Sequence, residues 1–171
     1  MRIVALVVAA LVVLVAVVVV VGALLPRAHQ VTRSTELQQS PEQVWAAITD
    51  IDGYPDWRSG LKGVERLPDV AGRTRWREQE GHGAITYEIV QSQPPLLLVT
   101  RIADDSLPFG GSWTYEITTT GAGARLTVTE DGDVKNPVYR FVSRFVFGHT
   151  ATLDRYLKAL ADRFNESSAV R

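Results

Sequence analysis

One carboxylate in the second half of the sequence draws attention because of where strand alternation places it. In ARLTVTED, residues 124–131, the phase that turns Leu126 and Val128 inward also turns Glu130 inward, near the strand end. A buried carboxylate is costly unless it is paired or protonated. Glu130 is therefore a candidate polar anchor for a bound molecule or a general acid or base, with a structural ion pair as the alternative. Three arginines of other predicted strands could pair with it: Arg75, Arg77 and Arg101.

The three histidines do not form a metal-binding pattern. His29 follows the apolar N-terminal segment, His82 lies in a turn between two glycines, and His149 follows Gly148 on a predicted helix. Because the chain also has no cysteine, no ligand spacing typical of zinc is present, and we expect neither a metal nor a cofactor. His149 belongs to the inward stripe of its helix and is a candidate cavity residue, with a hydrogen-bonded core histidine as the alternative.

Motifs of catalysis and of nucleic-acid binding are also absent from the sequence. The chain has no nucleophile elbow, phosphate-binding glycine loop or dinucleotide-binding fingerprint. Its net charge of −1 provides no large basic field, so we expect no nucleic-acid partner. Enzyme activity has no positive signature here.

A sheet must position these side chains, because most of the chain after residue 30 alternates between apolar and polar residues. Turn signals rich in Gly, Pro and Asp separate the alternating stretches. The connections are short, which predicts mainly antiparallel pairing. Seven strands are predicted, at 30–39, 62–68, 73–80, 84–92, 96–103, 112–120 and 124–131.

Large aromatic residues recur on the inward face of these strands. A sheet with one covered face needs an apolar row for its core, so packing alone could account for them. A sheet that curves around one helix rarely fills its own concavity, however, and ligand sites of this kind are mostly apolar. The candidates for a cavity wall on the strands are Trp76, Tyr87, Trp113 and Tyr115.

Helical signals lie on either side of the last six strands. Ser40 and Gln43 form a capping-box pattern with Pro41 at the first helical position, and YPDWRSGL predicts a second, shorter helix after it. From Asn136 onward, apolar residues at helical spacing predict one long helix of some seven turns. Gly148 is a candidate bend within it.

The N-terminus carries an uncharged apolar segment from Ile3 to Leu25. It is long enough to cross a hydrocarbon layer of ~30 Å, so we predict a transmembrane anchor at 1–26 and a linker at 27–30. A cleavable signal peptide is the alternative. Arginines flank both ends, so orientation is nearly balanced, with a slight preference for an extracytoplasmic domain.

The order of these elements is similar to that of a known superfamily. The residues that carry the resemblance are SPEQVWAAITDIDGYPDW from Ser40, FGGSWTYEI, TVTEDGDVKNP and the terminal helix. Together they resemble the SRPBCC superfamily, which includes START lipid-transfer domains and polyketide cyclase/dehydrase-like proteins. The resemblance implies an α+β helix-grip fold over residues 31–166, in which the curved antiparallel sheet surrounds the long C-terminal helix. Residues 167–171 are predicted to be a disordered tail.

The resemblance also implies where a ligand would lie. In this superfamily the stretch after the first helix lies at one end of a cavity, so Tyr54 and Trp57 would border its mouth. The alternative is that Trp57 only fixes the short helices to the sheet. From the residues themselves, the candidate polar anchors are Glu130 and Arg101. The candidate apolar wall is formed by Trp57, Trp76, Tyr87, Trp113, Tyr115, Phe141 and Phe145.

These expectations define a membrane-anchored domain that binds a hydrophobic or lipid-like small molecule. One alternative is a cyclase/dehydratase-like enzyme with Glu130 or His149 as the acid/base. Another is a non-catalytic assembly or chaperone factor whose cavity is filled.

The start of the terminal helix has a wider apolar arc than a core-facing stripe requires. In VYRFVSRFVF, residues 138–147, only Arg140, Ser143 and Arg144 are polar. We hypothesise that this end of the helix, including Tyr139 and Phe147, touches the bilayer, with the two arginines near lipid phosphates. Coverage by neighbouring loops is the alternative.

Overall fold

The computed structural model describes residues 1–81, 83–148, 150–166 and 170, without the side chains of Val146 and Phe147. The helices are α1 (Arg2–Leu24), α2 (Pro41–Thr49), α3 (Tyr54–Trp57), α4 (Pro137–Val142) and α5 (Ala151–Arg163), and a π-helical segment covers Ser143–Phe147. The strands are β1 (Ala28–Leu37), β2 (Leu61–Val70), β3 (Arg73–Glu80), β4 (Gly83–Gln93), β5 (Leu97–Ile102), β6 (Phe109–Thr120) and β7 (Gly123–Val134).

All seven strands form one antiparallel sheet in the order β1-β7-β6-β5-β4-β3-β2. Strands β2 to β7 follow one another through short turns, as antiparallel hairpins allow. Strand β1 pairs with β7 at the other edge, and α2 and α3 connect it to β2. The predicted α+β helix-grip fold with a seven-stranded curved sheet is confirmed.

The two short helices form where the sequence predicts them. The hydroxyl of Ser40 accepts a hydrogen bond from the backbone N–H of Gln43, and the Gln43 side chain accepts one from the backbone N–H of Ser40. This capping box satisfies two N–H groups that the first turn leaves free. The apolar face of α2, formed by Val44, Ala47 and Ile48, is then buried in the main core.

Helix α5 supplies the other half of that core. Leu153, Leu157 and Leu160 are at most 2% exposed and pack in one cluster with inward residues of the sheet, among them Leu126 and Val128. Their spacing of three and four residues places them on one helical face. Burying this face holds α5 against the sheet.

The predicted long helix is not continuous, because it breaks at Gly148, the residue predicted as a candidate bend. Gly148 has φ +72° and ψ 158°, a conformation that glycine adopts at little cost and that ends the preceding helix. Asn136 caps α4 by accepting from the backbone N–H groups of Val138 and Tyr139. The chain therefore makes two helices of different environment, α4 with the π-helical segment and then α5.

Helix α1 is long and apolar enough to cross a membrane, with a mean hydropathy of 3.6 and no burial in its most apolar window. These are the properties of a membrane anchor or of a signal sequence. Strand β1 begins at Ala28, so it takes up residues that the sequence analysis assigned to a linker. Leu25, Pro26 and Arg27 alone connect α1 to the sheet.

The end of α1 packs on α4. A Cβ added at Gly22 would lie 1.9 Å from the backbone carbonyl oxygen of Pro137, so glycine permits this close approach. Arg140 donates to the carbonyl oxygens of Leu25, at 2.9 Å, and of Ala23, at 3.4 Å. These bonds satisfy carbonyls that the helix end leaves free. The first helix and the start of the C-terminal helix are thus joined by direct contacts.

Candidate functional site

Three adjoining chambers lie between the concave face of the sheet and the C-terminal helices. The outer chamber, of about 420 Å³, lies beside α4 and the π-helical segment. The inner chamber, of about 90 Å³, lies under α5, and the far chamber, of about 340 Å³, opens beside Ser59 and Gly60. Glu80 and Thr152 border all three, so the chambers adjoin one another at these two residues.

The outer chamber has a mainly apolar wall built from inward strand positions. Tyr87 stands between Trp76 and Trp113, with ring centroids 5.6 Å and 5.8 Å away. Tyr139 of α4 covers the opposite side, 6.4 Å from Phe109. The volume of about 420 Å³ lies within the usual range for small-molecule sites, about 300–1,000 Å³.

Glu130 lies in this wall, as its alternation predicts, with 14% of its side chain exposed. It accepts a hydrogen bond from Trp113 Nε1 at 3.1 Å, and its other oxygen lies 3.3 Å from His29 Nε2. The strand register explains this set, because Glu130 on β7 stands opposite Trp113 on β6 and beside β1, which carries His29. A carboxylate next to an imidazole can exchange a proton with a molecule in the chamber.

The predicted arginine partners of Glu130 lie on the other side of the sheet, so this expectation is corrected. Alternation on β3 and β5 turns their side chains outward. Arg101, 50% exposed, donates to Glu88 Oε1 at 2.7 Å, and Arg75 lies 3.8 Å from the same carboxylate. Burial would raise the pKa of Glu88, but its hydrogen bonds from the arginines outweigh this and lower it. Arg101 is therefore a surface ion-pair residue and no cavity anchor, and Arg77 pairs with Glu65.

The charged centre of the inner chamber is a different pair, Arg58 and Glu78. Arg58 donates two hydrogen bonds to Glu78, at 2.7 Å and 2.8 Å, and Trp76 Nε1 donates a third at 2.9 Å. Burial works against the charge of Arg58, but the hydrogen bonds to Glu78 raise its pKa above the ordinary value. Its guanidinium also lies over the ring of Tyr54, 4.8 Å from the centroid.

Buried phenols surround this pair. Burial raises the pKa of Tyr115 to about 12 and moves those of Tyr87 and Tyr156 well above their usual value. The hydroxyl of Tyr156 is fully buried and has no hydrogen-bond partner among the described residues. A buried polar group in this state costs ~1–3 kcal/mol. A water or ligand atom in the inner chamber would remove that cost.

Three residues predicted to line the cavity lie elsewhere. Trp57 packs between Tyr54 and Tyr156, at 5.8 Å and 5.4 Å, and fixes α3 to α5 behind the chamber wall. Phe141 and Phe145 pack on each other at 4.9 Å, and Phe145 is 59% exposed. The break at Gly148 explains this, because the helix that would have turned both rings toward the sheet does not continue. His149 lies outside the described residues.

Sequence reasoning missed several residues of the site. Glu78 has the same inward phase as Trp76 on β3, so the alternation that found Glu130 could also have found it. Tyr156 belonged to an apolar helical stripe, where nothing distinguishes a cavity phenol from a core residue. Arg58 and His29 carry no sequence signal, since their roles depend on strand pairing and on the position of α3. Within the described part of the chain, no three His, Asp or Glu residues are placed to hold a metal.

The sheet, the gripping helices and the chambers between them define a START-like helix-grip domain. The profile of the family described as "Polyketide cyclase / dehydrase and lipid transport" matches residues 28–166, and the chain belongs to this family. The predicted superfamily is thereby confirmed. No curated protein matches the chain significantly by sequence.

Solved structures with a similar fold include a START superfamily protein from Mycobacterium smegmatis. It shares 22% identity with a TM-score of 0.64, over 80% of this chain and 97% of that one. The Zhui aromatase/cyclase from Streptomyces sp. R1128 is 16% identical, with a TM-score of 0.64 over 81% and 94% of the chains. Norcoclaurine synthase from Thalictrum flavum is 15% identical, with a TM-score of 0.63 over 82% and 88%. At these identities the likeness concerns the fold alone.

Proposed function

We propose that the protein is anchored in a membrane by α1 and binds a hydrophobic or lipid-like small molecule in its adjoining chambers. The observation that carries this proposal is the unpaired, buried hydroxyl of Tyr156 in the inner chamber, which adjoins a mainly apolar chamber of about 420 Å³. Such an arrangement suits an apolar ligand body with one polar group that reaches the inner chamber.

The charges of the inner chamber indicate the nature of that polar group. Arg58 is bound by both oxygens of Glu78, so its charge is compensated within the protein. A ligand carboxylate would have to compete with Glu78, whereas a hydroxyl or carbonyl needs only the phenol of Tyr156. We therefore expect an uncharged polar group at the inner end of the ligand.

The proposed anchor gives the cavity access to such molecules. The three-residue connection from α1 to β1 spans about 10 Å when extended. The domain would thus lie against the bilayer surface, where a poorly soluble ligand can exchange without crossing water. Positive charge is nearly balanced around α1 and does not fix the orientation, so we retain the slight preference for an extracytoplasmic domain that a default signal anchor gives.

The proposal is tested by native mass spectrometry of the full chain extracted from its own membranes, with chemical identification of whatever remains bound. Thr152→Phe would place a ring where the three chambers meet, and we expect it to reduce bound ligand at least tenfold. The matched control is Thr118→Phe, which puts the same ring on an exposed position of β6. Loss in the control as well, or retention in Thr152→Phe, contradicts the proposal.

Tyr156→Phe separates binding from stability. It removes the unpaired hydroxyl, so the free energy of unfolding should stay equal or rise slightly, while ligand affinity falls about tenfold if one neutral hydrogen bond is lost. If affinity is unchanged, the ligand does not use this hydroxyl. A wild-type protein that carries nothing and binds no hydrophobic dye would favour the non-catalytic assembly factor.

A second candidate function is an enzyme of the cyclase/dehydratase kind. The contact between His29 and Glu130 in the outer chamber favours it, because such a pair can move a proton at a bound molecule. Once the ligand is identified, Glu130→Gln should leave binding intact and abolish turnover. Unchanged conversion in the variant, or no conversion by the wild type, excludes this role for Glu130.

A further inference from the structure

A separate cleft lies at the base of the domain, between the end of α1, strand β1 and the segment from α4 to Thr150. Its volume is about 720 Å³. Of the described residues that line it, three are arginines, Arg27, Arg140 and Arg144, and none is Asp or Glu. We call it the basal cleft.

The positive charge of the basal cleft is only partly neutralised. Arg27 pairs with Asp133 at 3.0 Å. Arg140 donates to backbone carbonyls only, and its Nε is buried without a hydrogen-bond partner among the described residues. Arg144 is exposed and makes no ion pair within the described part of the chain. Among the described residues, therefore, no carboxylate neutralises Arg140 or Arg144, and the exposed Arg144 can donate to an anion.

The cleft lies where the apolar helix ends. Leu25 and Pro26, which directly follow α1, form part of its lining. On the adjoining helical segment, Val138, Tyr139 and Phe145 are 40%, 49% and 59% exposed. An exposed apolar surface next to a membrane-length helix, with arginines beside it, matches the depth of lipid headgroups.

We infer that the basal cleft binds the phosphate headgroup of an anionic bilayer lipid through Arg140 and Arg144. Guanidinium groups suit phosphate oxygens, to which they can donate paired hydrogen bonds. The cleft is larger than a phosphate ion needs, and its apolar lining, including Val31 and Val134, suits a glycerol and the first acyl carbons. A lipid is therefore favoured over free phosphate. The inference rests on the anchoring of α1 but not on any ligand in the chambers.

The cleft also adjoins the outer chamber. His29, Val134, Ser143 and Gly148 line both spaces. A headgroup held in the cleft would therefore lie beside the outer chamber. The site would keep one lipid there, separate from the molecule bound inside.

The test uses the full chain in nanodiscs of phosphatidylcholine with increasing phosphatidylglycerol, followed by gentle release and native mass spectrometry of retained lipid. We expect wild type to retain one phosphatidylglycerol in preference to phosphatidylcholine. Arg144→Gln should lower that retention about tenfold, the effect of one lost charge-assisted hydrogen bond. The matched control is Arg125→Gln, which removes the same charge at the opposite end of β7 and should retain lipid like wild type.

Each alternative result has a defined meaning. Equal retention of both lipids by wild type, equal retention by Arg144→Gln, or equal loss in Arg125→Gln would overturn the inference. Competition with millimolar inorganic phosphate separates the two sources of the anion: binding of phosphate without retention of lipid would overturn the assignment to a lipid. Dye binding in the chambers is measured on the same samples, so an empty chamber with retained phosphatidylglycerol would refute the proposed ligand and leave this site standing.

Discussion

Two halves of the C-terminal helical region are close in sequence but have opposite environments. Helix α5 has four buried residues and closes the main core, whereas α4 has none and leaves Tyr139 half exposed. Helix α5 stabilises the fold, whereas α4 and the π-helical segment border the outer chamber and the end of α1. The difference shows that one amphipathic stretch can supply both a fixed wall and an accessible opening when a glycine divides it.

The largest expected effect comes from disrupting the buried ion pair of Arg58 and Glu78, which lies beneath α5. Arg58→Met leaves the carboxylate of Glu78, only 3% exposed, without its partner, and should lower the free energy of unfolding by ~3–5 kcal/mol. Urea unfolding of the full chain in detergent, followed by tryptophan fluorescence, measures this. The control is Arg66→Met, which breaks an exposed pair with Asp52 and should cost less than about 1 kcal/mol. Similar losses in both variants would mean that the inner pair is not buried in solution.

A direct comparison of the two halves comes next. Leu157→Ala, at a fully buried position of α5, should cost ~2–5 kcal/mol through lost burial and a cavity. Phe145→Ala, in the π-helical segment, should change stability by no more than about 0.5 kcal/mol. The same unfolding assay reports both. A large loss of stability in Phe145→Ala would show that the π-helical segment is covered and contributes to the core.

The contact between α1 and α4 gives a smaller and local effect. Gly22→Val would force α1 away from Pro137, since even a Cβ lies too close to its carbonyl oxygen. We expect amide exchange in α4 to become about tenfold faster, as for a lost contact of ~1.4 kcal/mol, without global unfolding. Ala9→Val, on an exposed face of α1, is the control. Unchanged exchange in Gly22→Val would show that α4 does not depend on this contact.

Alkaline pH should destabilise the fold around the inner chamber, which four tyrosines line. Burial raises the pKa of Tyr54, Tyr87, Tyr115 and Tyr156 above the unfolded value of about 10. The unfolded chain then releases protons that the folded chain keeps, so stability is fully present below pH ~10 and declines as pH rises above it. For Tyr115 the decline ends near its folded pKa of about 12. Urea midpoints between pH 9 and 12 test this, and Tyr156→Phe should flatten the decline.

Much of the fold could be predicted from local sequence patterns, because long-range packing does not change the structure that they favour. Seven alternating stretches, a capping box and the turn residues predict the sheet and α2, because each is specified by adjacent residues. The C-terminal helix was predicted as one element with a candidate bend at Gly148, since apolar spacing continues across that residue, and its backbone conformation shows a full break there. Strand β1 begins earlier than predicted because its first residues gain their partners from β7. The predicted tail at 167–171 falls mostly outside the described residues.

The candidate site was predictable only where one strand determines a side chain's face. Alternation places Trp76, Tyr87, Trp113, Tyr115 and Glu130 on the inward face, where the structure also has them. It cannot say which strands are neighbours, so it matched Glu130 with arginines of the outer face instead of His29. The roles of these five inward-facing residues in ligand binding remain predictions.

The three-residue connection between α1 and β1 determines where the proposed binding domain can take up its ligand. A domain held so close to one bilayer cannot carry its cargo to another membrane. The occupancy of its chambers would follow the mole fraction of the ligand among surrounding lipids, and dilution of the aqueous phase would leave it unchanged. Such a protein would bind ligand only from its own membrane, and its rate of loading would depend on lateral diffusion in the plane of the bilayer.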